Sequence, residues 1–383
     1  MNVLILPSWY PTPENPTSGI FFKEQDQALF KNGINIYILV QHVYNIRNIF
    51  NFFKIKNKIQ IYNDNGIKTH IVHYLNIFPR MKILFYYYSS ILLKRNIDFI
   101  KNKYKIEFDL VHIHSAFFAG IFYYLSKYPI KYILTEHASF YSRNLLSHLD
   151  KHYVPKVLSS SSALIAVSDG LKSNLQIFTK KEINVIFNLI SFKNTNCQTD
   201  LNKNKFRFFS LGSNLLTKGF DILISSYSNS NKTILENSEL YIAGLSQKEL
   251  VILQKMIDKL SFKCIRLFGH MSRDEVAYNM FNCDCFILPS RFETFGVVFA
   301  EAMYFGKPVI ASKTGGPDSF VTPKTGLLVP VEDIEETTKA IEQIYQQHSD
   351  YDADYIKQYA IDNFSPEIIT QKIINLYKDV ISS

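Results

Sequence analysis

The chain has 383 residues, of which 47% are apolar and 20% are charged, with a formal net charge of +8 at pH 7. This length and apolar content are enough for two domains with separate cores. Four scattered cysteines exclude a disulfide framework and indicate reduced thiols; Cys283 and Cys285 lack the second Cys or His pair that a zinc site needs. The longest apolar run, residues 83–93, is too short to cross a bilayer.

The charge is unevenly distributed. Residues 1–190 carry 22 Lys/Arg and 11 Asp/Glu, a net charge of +11, whereas residues 191–383 carry 20 and 23, a net charge of −3. The basic excess gathers at residues 54–58 and 80–105, and in the second stretch it alternates with aromatic and aliphatic residues. A basic amphipathic helix can lie on an anionic membrane surface, although a packed helix with outward lysines is the alternative. We expect peripheral contact with the anionic inner membrane surface. No recognition motif points to nucleic acid as a partner.

In the first half, short apolar segments alternate with helical patterns. We predict strands at residues 3–6, 34–40, 69–74, 110–114, 132–135, 164–167 and 184–186, with helices at 20–31, 116–127, 145–160 and 170–178. The strands are apolar on both faces, as in parallel sheets covered on both sides. Residues 1–7 lack a basic leader, so we interpret them as a first buried strand of a cytoplasmic protein.

The alternation restarts after a polar, Asn- and Lys-rich stretch. We predict strands at residues 206–211, 240–243, 265–268, 285–288 and 309–311, and helices at 219–227, 247–260, 273–282, 297–305 and 334–346. The fold class is therefore α/β, with a Rossmann-like domain at residues 1–190, a linker at 191–205 and a second Rossmann-like domain at 206–365. Residues 366–383 form a final helix. Ligands of such doubly wound sheets bind beyond the carboxyl ends of the strands.

Residues 290–303 are the most informative segment. Glu293 lies in a turn after an apolar strand, Gly296 opens a helix, and Glu301 lies inside that helix between apolar neighbours. The bare N-terminus of a helix binds anions. Two carboxylates beside an anion site are suited to sugar and ribose hydroxyls on either side of a diphosphate. The competing interpretation of Glu301, a solvated helix face, is disfavoured by Phe299, Ala300, Ala302 and Met303.

Several motifs together resemble the donor half of the retaining glycosyltransferase family 4, whose members have the two-domain GT-B fold with a central cleft. They are Ser290-Arg-Phe-Glu-Thr-Phe-Gly through Glu301-Ala-Met, Gly306-Lys-Pro-Val-Ile-Ala, Gly315-Gly316 and Gly326-Leu-Leu-Val. The resemblance implies that Glu293 positions the sugar hydroxyls and that Glu301 binds the ribose. It also places Thr294, Phe295 and Gly296 at the donor, and the final helix back on the first domain.

The same resemblance assigns a phosphate clamp to residues 211–220. Lys218 would pair with the donor diphosphate, whereas Ser213 stands where the family commonly has arginine. Half of the usual cationic clamp is therefore missing, because a serine hydroxyl replaces the several charged N–H donors of an arginine guanidinium. Asn214 and Arg291 are candidate substitutes.

Further positions follow from the resemblance. Gly19 would approach the donor, and the turn at His270 and Met271 would hold the nucleotide base, although Ser272 as a helix cap explains that turn equally well. His137 would lie beside the reacting sugar carbon. Trp9, Tyr10 and His114 are assigned to the acceptor side; the alternatives are that Trp9 and Tyr10 only pack their loop and that the histidines are hydrogen-bonded core residues, which is less expected for His137. The catalytic residues would be Glu293, His137 and Lys218.

The expected activity is that of a retaining glycosyltransferase of the hexosyltransferase type. We favour a UDP-sugar donor, with a GDP-sugar as the alternative, and no metal or other cofactor. The acceptor would be a hydroxyl of a glycan or lipid-linked oligosaccharide in bacterial surface polysaccharide synthesis: lipopolysaccharide, capsule or O-antigen. Two alternatives stay open, a nucleotide-sugar epimerase of the same architecture and a non-catalytic sugar-binding protein.

Overall fold

A computed structural model describes residues 1–11, 18–45, 48–64, 66–143, 145–191, 197–260 and 264–383. The chain forms two compact units. The first comprises residues 1–167, 171–189 and 366–383, and the second comprises residues 168–170 and 190–365. Part of the predicted linker, residues 192–196, lies outside the described residues.

The first unit is built on an eight-stranded sheet in the order β3-β4-β2-β1-β5-β6-β7-β8. All neighbouring strands are parallel except β3, which is antiparallel to β4. The strands are β1 (Asn2–Pro7), β2 (Asn35–Tyr44), β3 (Ile59–Asp64), β4 (Ile67–Leu75), β5 (Leu110–His114), β6 (Tyr132–Glu136), β7 (Ala163–Ala166) and β8 (Ile183–Val185). Their central members are buried on both faces, as the continuous apolar runs predict.

Helices cover this sheet. They are α1 (Ile20–Lys31), α2 (Ile49–Lys54), α3 (Lys82–Tyr104), α4 (Ile121–Ser126), α5 (His148–Ser160), α6 (Asp169–Gln176) and the final helix α15 (Pro366–Ser382). Helix α15 places Ile369, Ile373 and Tyr377 in the core of the first unit. Helix α5 starts later than predicted, because Ser147 and Asp150 form a capping box that ends the preceding loop.

The second unit contains a six-stranded parallel sheet in the order β11-β10-β9-β12-β13-β14. The strands are β9 (Phe206–Leu211), β10 (Ser238–Ala243), β11 (Ile265–Leu267), β12 (Cys285–Leu288), β13 (Val309–Ser312) and β14 (Gly326–Val329). The helices are α7 (Leu215–Lys218), α8 (Phe220–Ser228), α9 (Lys232–Asn237), α10 (Gln247–Ile257), α11 (Arg273–Asn282), α12 (Val297–Tyr304), α13 (Ile334–Gln347) and α14 (Ala353–Phe364). The predicted fold class, two doubly wound α/β units, is confirmed.

The predicted elements omit two strands and the helices α2, α7, α9 and α14, and they place the start of one further helix wrongly. Strand β3 was missed because it is an edge strand without a buried residue, and its polar residues Gln60, Asn63 and Asp64 interrupt the apolar run that its neighbours show. Strand β14 was missed because it starts at Gly326, which a strand pattern disfavours. The helix predicted over residues 116–127 begins only at Ile121, because Ser115 and Phe118 adopt positive φ angles and form a distorted turn.

Each sheet has one position where the strand order reverses. In the first unit it lies between β1 and β5, and in the second between β9 and β12. Loops that leave neighbouring strands there in opposite directions open a crevice, which is where doubly wound sheets bind ligands. Among the described residues, no helix has the length and apolar character of a membrane span.

Candidate functional site

The second unit brings together Lys218 and Glu293 at its strand reversal. Lys218 ends α7, which follows β9, and Glu293 lies in the loop after β12. The Lys218 Nζ donates to Glu293 Oε2 at 2.6 Å, and both side chains are largely buried. A charge-assisted hydrogen bond of this length joins the two loops that flank the crevice. The pair therefore places one cation and one carboxylate at the carboxyl edge of the sheet.

The loop after Glu293 is shaped by two glycines. Gly296 is the N-cap residue of α12 and has a φ of 89°. As a glycine it has no side chain to cap the first turn of this helix. A Cβ on Gly316 would lie 2.8 Å from backbone atoms of Glu293, Thr294 and Phe295, so only glycine lets the loop after β13 lie against this segment. The carbonyl of Thr294 also accepts a hydrogen bond from Ser168 Oγ at 2.6 Å. The Glu293–Gly296 segment is thus fixed from two sides.

Glu301 lies within α12 and its side chain is 4% exposed. Its carboxylate accepts a hydrogen bond from the guanidinium of Arg273, the first residue of α11. Burial raises the pKa of Glu301, and Arg273 opposes that rise. The two groups form an ion pair that joins α11 to α12, the helix that Gly296 precedes. Arg273 also donates to the carbonyl of Ser191.

Both candidate substitutes for the missing clamp arginine have partners within the second unit. The Arg291 guanidinium makes a two-pronged contact with Asp221, at 2.9 and 2.8 Å, and also pairs with Glu332. Asn214 caps α7 by accepting from the backbone N–H of Thr217. Ser213 itself is exposed in the loop after β9. Lys218 is consequently the cation that faces Glu293. To bind an incoming anion, the Lys218 ammonium would have to leave the Glu293 carboxylate.

The predicted base-binding turn lies between β11 and α11. His270 is exposed, and the Met271 sulfur accepts from Asn279 at 3.7 Å. Ser272 caps α11 in a capping box with Glu275, which confirms its predicted role as a cap. The turn and Arg273 are therefore held by helix α11 itself.

In the first unit the two predicted histidines are in contact. His114 Nδ1 and His137 Nε2 are 3.2 Å apart at the ends of β5 and β6, and both rings pack against Phe22. His112 extends the cluster, with its ring centroid 4.4 Å from that of His114. Burial lowers the pKa of His112 and of His137 to about 3, so both are neutral at pH 7.

Glu136 fixes the position of His137. Its carboxylate is 0% exposed and accepts from the backbone N–H groups of Ala116, His137 and Ala138, each at 2.9 Å. The hydroxyl of Tyr141 donates a fourth hydrogen bond at 2.8 Å. A buried carboxylate satisfied in this way ties the loop after β6 to the turn after β5.

The loop after β1 carries Trp9 and Tyr10, and both line a cavity of about 380 Å³. The cavity opens where β1, β2 and β4 end, with Ser8, Gln41, His42, Asn45, Asn76, Phe85, Phe118 and Phe122 among its other lining residues. Gly19 precedes α1 with a φ of 70°, and a Cβ there would come 3.0 Å from Trp9 and Phe22. Aromatic faces combined with amide and hydroxyl groups are the chemistry that recognises a polar, ring-shaped ligand.

Comparison with known proteins agrees with this architecture. Residues 29–193 match the family described as Glycosyltransferase Family 4, and residues 192–363 match Glycosyl transferases group 1. A relative from Methanocaldococcus jannaschii, named an uncharacterized glycosyltransferase, is 31% identical over 265 residues, which cover 67% of this chain and 69% of that protein. The chain belongs to glycosyltransferase family 4. It is therefore a glycosyltransferase, as the sequence motifs predict.

Two solved structures show the same fold. HepE of Anabaena, in complex with UDP and glucose, is 17% identical with a TM-score of 0.71 and covers 99% of this chain and 100% of its own. The apo lipopolysaccharide outer core galactosyltransferase WaaB is 13% identical with a TM-score of 0.73 and covers 99% of each chain. At these identities the likeness establishes the GT-B fold.

Sequence reasoning missed two residues that organise this transferase. Arg273 was seen only as the start of a helix, although a cation at a helix N-terminus opposes the helix dipole and so indicates a partner elsewhere. Glu136 was not singled out in the sequence, although a carboxylate at the end of an apolar strand needs several donors. The remaining predicted residues lie in two groups. The second unit holds Ser213, Lys218, His270, Met271, Glu293, Thr294, Phe295, Gly296 and Glu301, and the first holds Trp9, Tyr10, Gly19, His114 and His137.

Proposed function

We propose that this transferase moves a sugar, with retention of configuration, from a nucleotide-sugar to a hydroxyl group. A UDP-sugar is the favoured donor and a GDP-sugar the alternative. The acceptor is a lipid-linked glycan of bacterial surface polysaccharide synthesis, in the lipopolysaccharide, capsule or O-antigen class. The observation that carries the proposal is the Lys218–Glu293 pair at the strand reversal of the second unit. The UDP and glucose bound to HepE, and the lipopolysaccharide activity in the name of WaaB, support the donor and the pathway.

Donor binding would exchange the partners of this pair. The diphosphate carries more negative charge than one carboxylate, so it takes the Lys218 ammonium away from Glu293. Glu293 is then free to accept hydrogen bonds from the sugar hydroxyls, which fixes the sugar next to the diphosphate. The N-terminus of α12 at Gly296 adds backbone N–H donors to the phosphate. These groups supply positive charge where the leaving group develops negative charge, and the proposal needs no metal or other cofactor.

The transfer itself breaks the bond between the anomeric carbon and the β-phosphate oxygen. Positive charge develops on the anomeric carbon while the leaving phosphate takes the bonding electron pair. The acceptor oxygen bonds to that carbon from the same face, and its proton passes to the departing phosphate oxygen. Atoms and charge balance without an enzymic nucleophile, and the products are a glycoside of retained configuration and a nucleoside diphosphate.

His137 would take part as a neutral hydrogen-bonding group. Its ring is buried and its pKa is lowered to about 3, so it carries no charge at pH 7. A neutral imidazole can contact a sugar hydroxyl without repelling the positive charge on the reacting carbon. The cavity beside Trp9 and Tyr10 would hold the acceptor sugar. We place the protein in the cytoplasm, with peripheral contact at the inner membrane.

The experiment is thermal unfolding of the purified protein with UDP-, GDP-, ADP-, dTDP- and CMP-sugars. A ligand at about one hundred times its dissociation constant stabilises a protein by roughly 2.7 kcal/mol, which is a readable shift. We expect one nucleotide class to stabilise the wild type and the Glu293→Gln variant to lose the sugar-dependent part of the shift. No response to any donor contradicts the proposal and favours a non-catalytic binding protein. If NMR shows isomerised donor without release of nucleoside diphosphate, the epimerase alternative replaces it.

A further inference from the structure

One edge of the first unit exposes large apolar side chains that its core does not use. Phe50 and Phe53, on α2, are 78% and 68% exposed. Near the start of α3, Ile77, Met81, Leu84 and Tyr87 are 52%, 54%, 38% and 47% exposed. We call these six residues the apolar edge. Large exposed apolar side chains that gather at one edge of a protein mark a surface that contacts something other than water.

The fold gathers both parts of the apolar edge at one end of the sheet. Strands β2 and β4 are parallel neighbours, with Tyr44 paired to Leu75, so the segments that follow them leave side by side. The backbone N–H of Asn76 donates to the carbonyl of Tyr44 at 2.8 Å, and the Tyr44 ring packs against Phe52 of α2. Asn45 and Asn76 line the cavity that also contains Trp9 and Tyr10. The apolar edge therefore borders the mouth of that cavity.

The exposed face of helix α3 has an apolar part followed by a basic part. Leu84, Tyr87 and Ile91 follow one another at helical spacing and are exposed, and the next exposed positions on this face are Lys94 and Arg95. Phe85 and Tyr86, on the same helix, are buried against the core. The helix thus presents an apolar start and a basic continuation.

The charge around the apolar edge is mainly positive, and one nearby acid, Asp150, pairs with Lys82 at 2.8 Å. Residues 27–97 contain ten Lys and Arg residues and one acid, Asp64. Lys54, Lys56 and Arg80 are exposed beside the apolar side chains, and Asp64 pairs with Lys23 at 2.5 Å. Protein interfaces usually surround an apolar centre with polar groups of mixed character. A rim with an excess of cations matches the phosphates of anionic lipid headgroups, which attract each basic residue near the surface.

We propose that the apolar edge inserts into the interfacial layer of a bilayer containing anionic lipid, with Phe50 and Phe53 entering deepest. Lys54, Lys56, Arg80, Lys94 and Arg95 then lie at headgroup level. Insertion presents the mouth of the Trp9–Tyr10 cavity to the membrane surface, so a lipid-linked glycan reaches it without leaving the bilayer. The bilayer contact is inferred from the exposure, position and charge of these residues, whereas its link to the acceptor rests on the proposed function.

The test is co-sedimentation of the full chain with vesicles of phosphatidylcholine alone and with added phosphatidylglycerol. We expect binding only with phosphatidylglycerol, lost at high salt, and at least a tenfold weaker partition for the Phe50→Ser, Phe53→Ser double variant. The matched control, Ile177→Ser with Leu201→Ser, removes apolar side chains that are 78% and 93% exposed elsewhere and should bind as the wild type does. A second variant, Lys54→Glu with Lys56→Glu, should weaken binding without touching an apolar group.

Three results would overturn the proposal. One is equal binding by the double variant and the wild type. Another is equal binding to both vesicle types. The third is a wild-type dimer in solution that the Phe50 and Phe53 substitutions dissociate, because the apolar edge would then be covered by a second copy. The donor-induced thermal shift is measured on the same variants as a check of folding. Vesicle binding without any donor response would contradict the proposed reaction and leave the membrane contact standing.

Discussion

Both units hold candidate residues in the loops at the carboxyl ends of their strands, but the side chains are charged in the second unit and neutral in the first. In the second unit, Lys218 pairs with Glu293 and Arg273 pairs with Glu301. In the first unit, the contacting pair is His114 and His137, and burial lowers both pKa values far enough to leave the rings neutral at pH 7. One crevice is thus lined by ion pairs, and the other by uncharged rings. The difference is consistent with the proposed function, in which the second unit binds a charged donor and the first a neutral sugar.

The largest effect should come from removing the exchangeable cation. We expect Lys218→Ala to lower the rate of nucleoside diphosphate release by about 100- to 1000-fold, because one charged donor to the leaving group is lost. The matched control is Lys248→Ala on α10, which lies outside the Lys218–Glu293 pair. An unchanged rate in Lys218→Ala would mean that the paired charges of the second unit have a structural role only.

A smaller effect should follow from Arg273→Ala, which leaves Glu301 buried without a counter-charge. Because burial already raises the pKa of Glu301, the carboxyl should hold its proton to higher pH and accept ribose hydroxyls poorly. We expect donor affinity to fall by about tenfold or more, the cost of a lost hydrogen bond to a charged group, with part of the loss recovered as the pH rises. Titration calorimetry across pH measures this.

Arg266→Ala is the control for that measurement, since Arg266 lies on β11 with its side chain 62% exposed and pairs with Glu239. A pH-independent loss of affinity in Arg273→Ala would show that the guanidinium binds the donor directly. It would then not act through Glu301.

The smallest effect concerns the neutral rings of the first unit. His112 has a folded pKa of about 3, against an unfolded pKa of about 6.5, so below pH 6.5 the unfolded state binds the additional proton. The free energy of unfolding should fall by about 1.4 kcal/mol per pH unit for each such histidine as the pH drops from about 6.5. Urea unfolding at several pH values measures the slope. We expect His112→Gln to reduce it by one histidine's contribution, and the exposed His148→Gln to leave it unchanged.

Much of the fold could be predicted because its strands are buried on both faces and read as continuous apolar runs. The exceptions, β3 and β14, are strands whose residues are partly exposed or begin with glycine, so periodicity alone could not find them. The glycosyltransferase class also followed from the sequence, through the Glu293–Glu301 block. The partners of charged residues could not be predicted. Arg291 looked free to replace the clamp arginine, yet Asp221 and Glu332 hold its guanidinium through contacts across 70 and 41 positions of the chain.

The return of α15 to the first unit has a consequence for how this gene can be shortened. The first unit is assembled from three separate stretches of sequence, and the last of them, residues 366–383, closes its core. The ring of Tyr377 is fully buried there, and its hydroxyl contacts His112 Nδ1 at 2.6 Å. A premature stop codon before Pro366 would therefore damage the beginning of the protein, while the continuous stretch of residues 190–365 stayed intact. Producing the first unit alone requires residues 366–383 to be joined to residue 189 by a designed connection.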